Sequence, residues 1–295
     1  MEVIKITPRG YCYGVVDAIT MAKRLASDPN VPRPIVVLGQ IVHNQHVVTQ
    51  LSQLGIRTLD GGLRHDLLDE VPAGATVVFT AHGVSPAVKA EASRRGFRTY
   101  DATCPDVTRT HELIRKKISQ GYFVLYVGTP GHPEPEGAMG EAPSNRIALV
   151  GEIDEVQSVK IPTGMPVAVM TQTTLSQWDT EEIIGAIVDR VPDAEIFNEI
   201  CHATQSRQEA AVKAAASVDL VVVVGDRRSN NSNRLVEVVQ KVAGKPAIRL
   251  EGIEDIDPAQ FQGVDRVAVT AGSSTPTEVT RAVIARLTQL NPEPG

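Results

Sequence analysis

The chain has 295 residues, of which 42% are hydrophobic and 22% charged, a composition typical of a globular protein large enough for two or three domains. Its net charge of −6 and its aromatic content of 4% disfavour nucleic-acid binding, which uses basic surfaces and aromatic stacking. No apolar run approaches the roughly 20 residues of a membrane span, and the first residues lack the pattern of a secretion signal, so we expect a cytoplasmic protein with no membrane partner.

Six short β-branched runs predict the strands of parallel sheets. In chain order they span residues 35–38, 77–79, 122–127, 167–170, 220–224 and 267–269. Continuous runs of valine, isoleucine and leucine are typical of strands that are buried on both faces. Helical segments follow most of the runs, and Ser85-Pro86 and Thr275-Pro276 have the pattern of a helix N-cap with proline at the first helical position. The alternation of strands and helices predicts an α/β fold.

A polar loop follows each of the six runs. Ligands of parallel α/β sheets bind beyond the carboxyl ends of the strands, so these loops form the candidate site. Three of the loops carry a histidine, namely His43, His82 and His132. Each could be an ordinary surface residue, but their common placement favours a shared site in which they donate to an anion. Glu134 could be a solvated surface acid, but its place two residues after His132 makes it a candidate proton carrier.

Other loops offer hydroxyl and amide side chains. Ser229, Asn230 and Asn231 precede a predicted helix, where short polar side chains and free backbone N–H groups suit phosphate. Ser274 stands in a comparable loop, and Thr173 either caps a helix or lines the site. The sequence has no Walker A motif and no well-placed Gly-x-Gly-x-x-Gly, so nucleotide binding has no specific support.

Three cysteines repeat along the chain. Cys12, Cys104 and Cys201 recur at intervals of about 95 residues, and two polar loops follow each of them. Each cysteine also follows a short extended stretch and precedes a helix-like segment. The repeat predicts three similar α/β lobes that meet at their loop ends, which would bring the three thiols and the six polar loops together.

The spacing alone does not decide the chemical role of these cysteines. Their odd number in a long chain argues against a disulfide framework. They could be small buried apolar residues, or zinc ligands, although structural zinc usually takes close Cys-x-x-Cys pairs. Even spacing over three lobes favours an iron–sulfur cluster enclosed between them. Three thiolates would leave one iron without a protein ligand and therefore open to substrate.

Nine segments, in order between residue 10 and about residue 276, carry a family resemblance. They are Gly10-Tyr-Cys12-Tyr-Gly-Val, Val42-His43-Asn44, Ala81-His82-Gly83-Val84-Ser85, Asp101-Ala-Thr-Cys104-Pro, Gly131-His132-Pro-Glu134-Pro-Glu-Gly137, Thr171-Gln-Thr-Thr-Leu-Ser176, Cys201-His-Ala-Thr-Gln-Ser-Arg-Gln208-Glu-Ala, Ser229-Asn-Asn231-Ser-Asn233-Arg-Leu and Thr270-Ala-Gly-Ser-Ser274. With these motifs the chain resembles the 4-hydroxy-3-methylbut-2-enyl diphosphate reductases, the last enzymes of the non-mevalonate isoprenoid route. One such match would be weak, but nine in family order are highly specific.

The resemblance implies a trefoil of three α/β lobes around a central [4Fe–4S] cluster with one open iron. We place the first lobe at residues 14–103, the second at 104–197, and the third at 1–13 together with 198–295, including a C-terminal tail. The implied reaction is reductive dehydroxylation of (E)-4-hydroxy-3-methylbut-2-enyl diphosphate to isopentenyl and dimethylallyl diphosphate. The implied partners are this small-molecule substrate and an electron donor such as ferredoxin or flavodoxin.

The resemblance also implies a role for each motif residue. The implied cluster ligands are Cys12, Cys104 and Cys201. The implied diphosphate-binding residues are His43, His82, His132, Ser229, Asn230, Asn231 and Ser274. The implied catalytic residues are Glu134, Thr173 and His132, of which Glu134 and Thr173 handle the substrate hydroxyl and the delivery of protons.

One motif departs from the family pattern, and two other functions are alternatives. Many members have two serines before the key asparagine, whereas this chain has Asn230 in the middle position. An amide can still donate a hydrogen bond, so we expect the phosphate site to be retained. A non-redox iron–sulfur hydro-lyase could use the same three cysteines, and a metal-free binding protein would use none of them as ligands.

Overall fold

The computed structural model describes residues 1–290; residues 291–295, which belong to the predicted tail of the third lobe, lie outside the described residues. The strands are β1 (Glu2–Lys5), β2 (Ile35–Leu38), β3 (Ile56–Leu59), β4 (Thr76–Phe79), β5 (Arg98–Asp101), β6 (Phe123–Val127), β7 (Ile147–Val150), β8 (Val167–Thr171), β9 (Glu195–Phe197), β10 (Leu220–Val224), β11 (Ala247–Leu250) and β12 (Arg266–Ala271). The α-helices are α1 (Tyr13–Ser27), α2 (Gln45–Gln53), α3 (Arg64–Leu67), α4 (Pro86–Arg94), α5 (Pro105–Ser119), α6 (Pro133–Met139), α7 (Glu155–Ser158), α8 (Gln177–Arg190), α9 (His202–Ala215), α10 (Asn230–Val242) and α11 (Thr277–Gln289). Short 3₁₀ turns lie at Leu68–Glu70, Ile253–Asp255 and Pro258–Phe261.

The strands form three four-stranded sheets in which every pairing is parallel. Their strand orders are β3-β2-β4-β5, β7-β6-β8-β9 and β1-β12-β10-β11. The inner strands β2, β4, β6, β8 and β10 are buried along their whole length, which agrees with their continuous apolar sequences. The predicted α/β class with three parallel-sheet lobes is confirmed.

The three sheets repeat one plan. In each sheet the two inner strands lead into polar loops, as parallel α/β sheets require of a ligand site. The strand at one edge leads toward a cysteine instead: β1 toward Cys12, β5 toward Cys104 and β9 toward Cys201. The spacing of the cysteines along the sequence therefore reflects an equivalent position in each sheet.

The described chain forms two compact units. The first unit contains Met1–Tyr13, His43–His46 and the described chain from Cys201 onward, and it holds the sheet β1-β12-β10-β11. The second unit contains Gly14–Val42 and Val47–Ile200, and it holds the other two sheets. The lobe boundaries given above stay predictions.

Alternation along β10 explains the core of the first unit. Successive side chains of a strand point to opposite faces, so Val222 and Val224 pack in one cluster and Val221 and Val223 in another. Helix α11 covers the first face through Val283, Ile284 and Leu287. Helices α9 and α10 cover the second face through Ala211, Ala215, Leu235 and Val239. This packing fixes the starts of α9 and α10, where candidate site residues lie.

In the second unit, packing of a helix against the inner strands likewise fixes where that helix begins. Ile114 of α5 packs with Val124, Tyr126, Ala168 and Met170 of β6 and β8. Helix α5 begins directly after Cys104, so this packing also positions that cysteine.

Within residues 1–290, none of the helices combines the length and the apolar character that crossing a membrane would require.

Candidate functional site

Two of the three cysteines lie in the first unit. The N–H of Cys12 donates to the carbonyl of Ser273 at 3.2 Å. Cys201 is the N-cap residue of α9, and its Sγ lies 3.2 Å from Oγ1 of Thr204, one turn into the helix. Both cysteines are half-buried and neither forms a disulfide. Both thiols keep the sulfur chemistry that a metal ligand needs.

A buried arginine stands beside these two thiols. Arg207 is 4% exposed, and its guanidinium donates to the carbonyl of Gly10 at 2.6 Å and to that of Ala203 at 2.7 Å. Burial lowers the pKa of Arg207, and the negative charge of the Cys12 and Cys201 sulfurs opposes this shift. Arginine keeps its charge in proteins, so Arg207 places a fixed positive charge beside its two neighbours.

The predicted phosphate loops of the first unit form one hydrogen-bonded group. Ser229 is the N-cap of α10 and accepts from the N–H of Ser232 at 3.3 Å. Asn231 is 3% exposed; its side chain accepts from the N–H of Ser273 at 3.0 Å and donates to Thr204 at 3.3 Å.

Ser274 connects the 43–46 segment to this group, because its Oγ donates to the carbonyl of His43 at 2.9 Å. The structure thus brings Ser229, Asn231, Ser274 and the backbone of His43 into one unit. Asn230 is the first residue of α10 and is half-buried.

Two glycines leave room for the side chain of Ser232 beside the predicted phosphate loops. A Cβ atom added at Gly225 or at Gly272 would overlap the side chain of Ser232. These glycines follow β10 and β12, so both inner strands of this sheet need a residue without a side chain at the loop that follows. Backbone N–H groups at a helix start, flanked by small residues, are the usual surroundings of a bound phosphate.

The third cysteine lies in the second unit. Cys104 is the N-cap residue of α5, and its N–H donates to the carbonyl of Ala81 at 3.0 Å. A Cβ atom added at Gly14 would lie 2.5 Å from Sγ of Cys104. The glycine of the Cys12-Tyr-Gly14 motif is therefore explained by the space that the Cys104 thiol occupies.

His82 and His132 face each other in the second unit. Their ring centroids lie 5.3 Å apart and their planes meet at 89°. Nδ1 of His132 accepts from the N–H of Glu134 at 3.1 Å and lies 3.2 Å from the amide nitrogen of Gln172. Because Nδ1 is the acceptor, the neutral ring carries its proton on Nε2, which makes Nε2 the donor toward a ligand.

Glu134 is a buried acid next to this histidine pair. It is 2% exposed, and its Oε1 accepts from the N–H of Thr173 at 2.7 Å. Burial raises the pKa of Glu134 to about 7, against the opposing effect of the Thr173 hydrogen bonds and with a smaller contribution from the charge of Asp106. A carboxyl with this pKa can both hold and release a proton near neutral pH.

The donor set fits an iron–sulfur cofactor. Cys12 directly precedes α1, and Cys104 and Cys201 are the N-cap residues of α5 and α9. Each of these helices has 14 or 15 residues, and the positive end of a helix dipole stabilises a thiolate. Thiolates are the ligands that iron–sulfur clusters take.

Sequence reasoning missed three residues at the site. Thr204 and Arg207 stand in the Cys201 motif, but only the turn of α9 shows that Thr204 meets the Cys201 sulfur. Gln172 is fully buried and its Oε1 accepts from the N–H of Thr129 at 2.8 Å, which ties the two loops that carry His132 and Thr173. The position of Gln172 between Thr171 and Thr173 was the available signal.

Comparisons with known proteins agree on one family. The family model described as LytB protein matches residues 3–288. The 4-hydroxy-3-methylbut-2-enyl diphosphate reductase of Symbiobacterium thermophilum is 58% identical over 293 residues, which covers 99% of this chain and 99% of the relative. The enzyme of the same name from Bacillus cytotoxicus is 53% identical over 292 residues, covering 99% of this chain and 92% of the relative.

Two solved structures have the same fold. The E-1-hydroxy-2-methyl-but-2-enyl-4-diphosphate reductase of Plasmodium falciparum superimposes with a TM-score of 0.91 at 31% identity, covering 99% of this chain and 89% of that chain. A structure of (E)-4-hydroxy-3-methyl-but-2-enyl diphosphate reductase, the terminal enzyme of the non-mevalonate pathway, gives a TM-score of 0.68 at 30% identity, covering 98% of this chain and 100% of that chain.

Proposed function

Because this chain belongs to the LytB family, we propose that it reduces (E)-4-hydroxy-3-methylbut-2-enyl diphosphate to isopentenyl and dimethylallyl diphosphate. The family resemblance seen in the sequence motifs is confirmed, and membership in the family implies an iron–sulfur cofactor. The finer assignment of a [4Fe–4S] cluster on Cys12, Cys104 and Cys201 is part of the proposal, as is the cytoplasmic location.

The reaction consumes two electrons and two protons for each substrate. The allylic C–O bond breaks, the hydroxyl oxygen leaves as water after taking one proton, and the second proton is added to carbon at either end of the allylic system. This last choice gives the two products. When bound, the cluster supplies the electrons one at a time and an open iron as a Lewis acid.

Three residues of the first unit are candidate diphosphate donors. Ser229, Asn231 and Ser274 present hydroxyl and amide groups near the start of α10, where the helix dipole favours a negative charge. Asn230 is placed by the same helix start and donates through its amide in this proposal. His43 joins the group through the segment that Ser274 holds.

Two histidines of the second unit are also candidate anion donors. The proton on Nε2 of His132 is directed away from the Nδ1 contacts, so this atom donates to a diphosphate oxygen. His82 stands at right angles to it and is the second donor. Phosphate oxygens bind charge-assisted donors in the ground state and in the transition state alike, so these residues contribute mainly to substrate affinity.

The buried carboxyl of Glu134 is the single observation that carries the chemistry. Breaking the C–O bond needs a proton on the leaving oxygen, and Glu134 is 2% exposed with its pKa raised by burial to about 7. The N–H of Thr173 donates to Oε1 and fixes the carboxyl, which carries the proton in this scheme. The Thr173 hydroxyl orients the substrate hydroxyl or relays the proton in this scheme.

Anaerobic reduction with a dye tests the function. The purified protein should contain about four irons and four sulfides per chain, as a [4Fe–4S] cluster requires. It should oxidise reduced methyl viologen only when substrate is added, at two electrons per substrate, and release both diphosphate products. A non-redox hydro-lyase would hold the cluster and consume no viologen, and a metal-free binding protein would be colourless. Either result would overturn the proposal.

A further inference from the structure

A groove of the first unit lies directly behind the Cys12 segment. Its volume is about 840 Å³, and its walls are the loop between Lys5 and Tyr11, one side of α11, and Arg207. Tyr11 directly precedes Cys12, and the Arg207 guanidinium donates to Gly10 at 2.6 Å. The groove therefore extends from the surface to residues adjacent to the Cys12 and Cys201 thiols.

The groove is cationic although the chain has a net charge of −6. Its described lining contains no carboxylate and four cationic residues, namely Lys5, Arg9, Arg207 and Arg281. Glu278 is close enough to contribute, after burial, to a pKa of about 12 for Tyr11, but it does not line the groove. The local charge is thus opposite in sign to that of the molecule.

The four cations divide into two kinds. Arg207 holds the carbonyls of Gly10 and Ala203, and Arg9 donates to Ile6 at 2.7 Å and to Thr7 at 3.0 Å, so both stabilise the loop.

Lys5 and Arg281 are exposed, and neither forms an ion pair within residues 1–290. These two side chains remain available to a partner that approaches from solvent.

We propose that this groove docks an acidic one-electron carrier protein of the ferredoxin or flavodoxin class. The inference rests on the proposed reductase function, which needs two electrons for each substrate. Each docking event oxidises the carrier by one electron and reduces this protein by one, so two events serve one turnover and no covalent bond is formed between the partners.

Charge and location favour such a carrier over other occupants. An acidic protein is repelled by the net charge of this chain, so a local cationic patch selects the face that it meets. Electron-transfer encounters use small, weak interfaces, and a groove lined by two exposed cations suits one. The docked carrier would stand over Tyr11, next to the proposed ligand Cys12, which gives the electron a short path to the cofactor.

A charge-reversal pair tests the surface. The double variant Lys5→Glu/Arg281→Glu removes the two available cations and leaves Arg9 and Arg207 in place. The matched control is Arg286→Glu, which is exposed on the same helix α11 but does not line the groove. The binding probes are an oxidised flavodoxin and an oxidised ferredoxin, each titrated by calorimetry at low and at physiological ionic strength. Turnover is then compared with each reduced carrier and with reduced methyl viologen.

The double variant should bind the carrier that supports wild-type turnover at least roughly tenfold more weakly, with a smaller salt dependence. Its viologen-driven rate should stay at the wild-type value, because a small cationic dye needs no cationic groove, and Arg286→Glu should match wild type throughout. The inference is wrong if the double variant binds like the control, or if the wild-type protein turns over with viologen and with neither carrier. Absence of viologen-driven turnover in the wild type would refute the proposed function itself.

Discussion

Glu134 accepts a 2.7 Å hydrogen bond from the backbone N–H of Thr173, which joins the first turn of α6, the helix after β6, to the loop after β8. These are the two inner strands of one sheet, so the contact depends on the sheet and not on a flexible segment. A carboxyl held by a backbone donor keeps its position when its protonation changes. The arrangement suits a group that delivers a proton to a fixed point and is reprotonated in each cycle.

Replacing Glu134 by glutamine should slow the chemical step. Glutamine keeps the shape and can still accept from Thr173, but it cannot transfer a proton. We expect normal iron and sulfide content, near-normal substrate affinity and a fall in kcat of roughly 100-fold or more. Thr173→Val should give a milder loss, because this residue orients or relays. Wild-type turnover by Glu134→Gln would move the proton source to His132 or to the substrate diphosphate.

The pH dependence of kcat should report the same carboxyl. Burial raises the pKa of Glu134 to about 7, so the acid form dominates below this pH and the rate should fall as the pH rises through it. Viologen-driven kcat should therefore be flat on the acid side and decline above about pH 7. The declining limb should be absent from the residual activity of Glu134→Gln. A limb that persists in this variant would belong to another group.

The raised pKa of Glu134 also predicts a stability effect. The pKa of Glu134 in the folded protein, about 7, lies above the ordinary value of 4.5. The contribution of this carboxyl to the free energy of unfolding is therefore fully present below pH 4.5 and is lost as the pH rises through 7. The loss amounts to roughly 3 kcal/mol at alkaline pH, taking about 1.4 kcal/mol per pKa unit. Urea unfolding at pH 5, 7 and 9 should show Glu134→Gln gaining on wild type as the pH rises. A constant difference would mean that Glu134 titrates normally.

Loss of a diphosphate donor should appear in KM. His82→Ala or Asn231→Ala removes one hydrogen bond to a charged ligand, which costs about 1.5–3 kcal/mol, or roughly 10- to 150-fold in affinity. His43→Ala should behave in the same way. Asn230→Ser is the matched control, because it exchanges one donor for another and should be nearly silent. An unchanged KM with a collapsed kcat would contradict a binding role for these residues.

A strand could be predicted from the sequence where its side chains are buried on both faces of the sheet. Runs with apolar side chains on both faces gave the bounds of β2 and β10 directly, and those of β4, β6, β8 and β12 to within two residues. The edge strands β3 and β11 each contain an arginine and are buried only at their two end residues, so no continuous apolar run marks them. Edge strands β1, β5 and β9 were visible only as extended stretches before the cysteines.

The sequence predicted which loops carry the candidate site residues, but not how buried these residues are or which distant residues they contact. His132 and Glu134 were placed by their distance from a strand end, whereas the pKa of Glu134 depends on burial by the whole unit. The contact between Arg207 and Gly10 joins residues 197 positions apart, and no local pattern indicates it. Thr204 could have been found from helical geometry, because it lies three residues after Cys201 in α9.

The glycine beside Cys104 should be essential for the cofactor. An alanine Cβ at Gly14 would lie 2.5 Å from the Cys104 sulfur, so Gly14→Ala should displace this ligand and lower the iron content. The matched control is Gly185→Ala in α8, where an added Cβ meets nothing within 4 Å and helix propensity should add up to about 1 kcal/mol of stability. Cys104→Ser should lose iron and sulfide as well. Full iron in Cys104→Ser would show that the Cys104 thiol is not a ligand, and full iron in Gly14→Ala would show that the site tolerates a Cβ atom there.

Arg207 should affect both the retention and the potential of the cluster. Its guanidinium clamps the carbonyls of Gly10 and Ala203, each two residues from a cysteine, and its charge stands beside both thiols. Arg207→Met removes the clamp and the charge, whereas Arg207→Lys keeps the charge alone. With the cation gone the reduced state loses a favourable interaction, so the midpoint potential of Arg207→Met should fall by about 59 mV, equivalent to a tenfold weaker electron affinity.

The lysine variant separates charge from geometry. Arg207→Lys should keep the wild-type potential but lose iron to a chelator faster, since one ammonium replaces two fixed donors less well. The control is Arg64→Met, which removes a similarly buried arginine whose charge partners are Glu136 and Asp60. Arg64→Met should lower overall stability without moving the potential. If Arg207→Met keeps the wild-type midpoint potential, Arg207 has only a structural role. Global destabilisation alone would not make the midpoint potentials of the lysine and methionine variants differ.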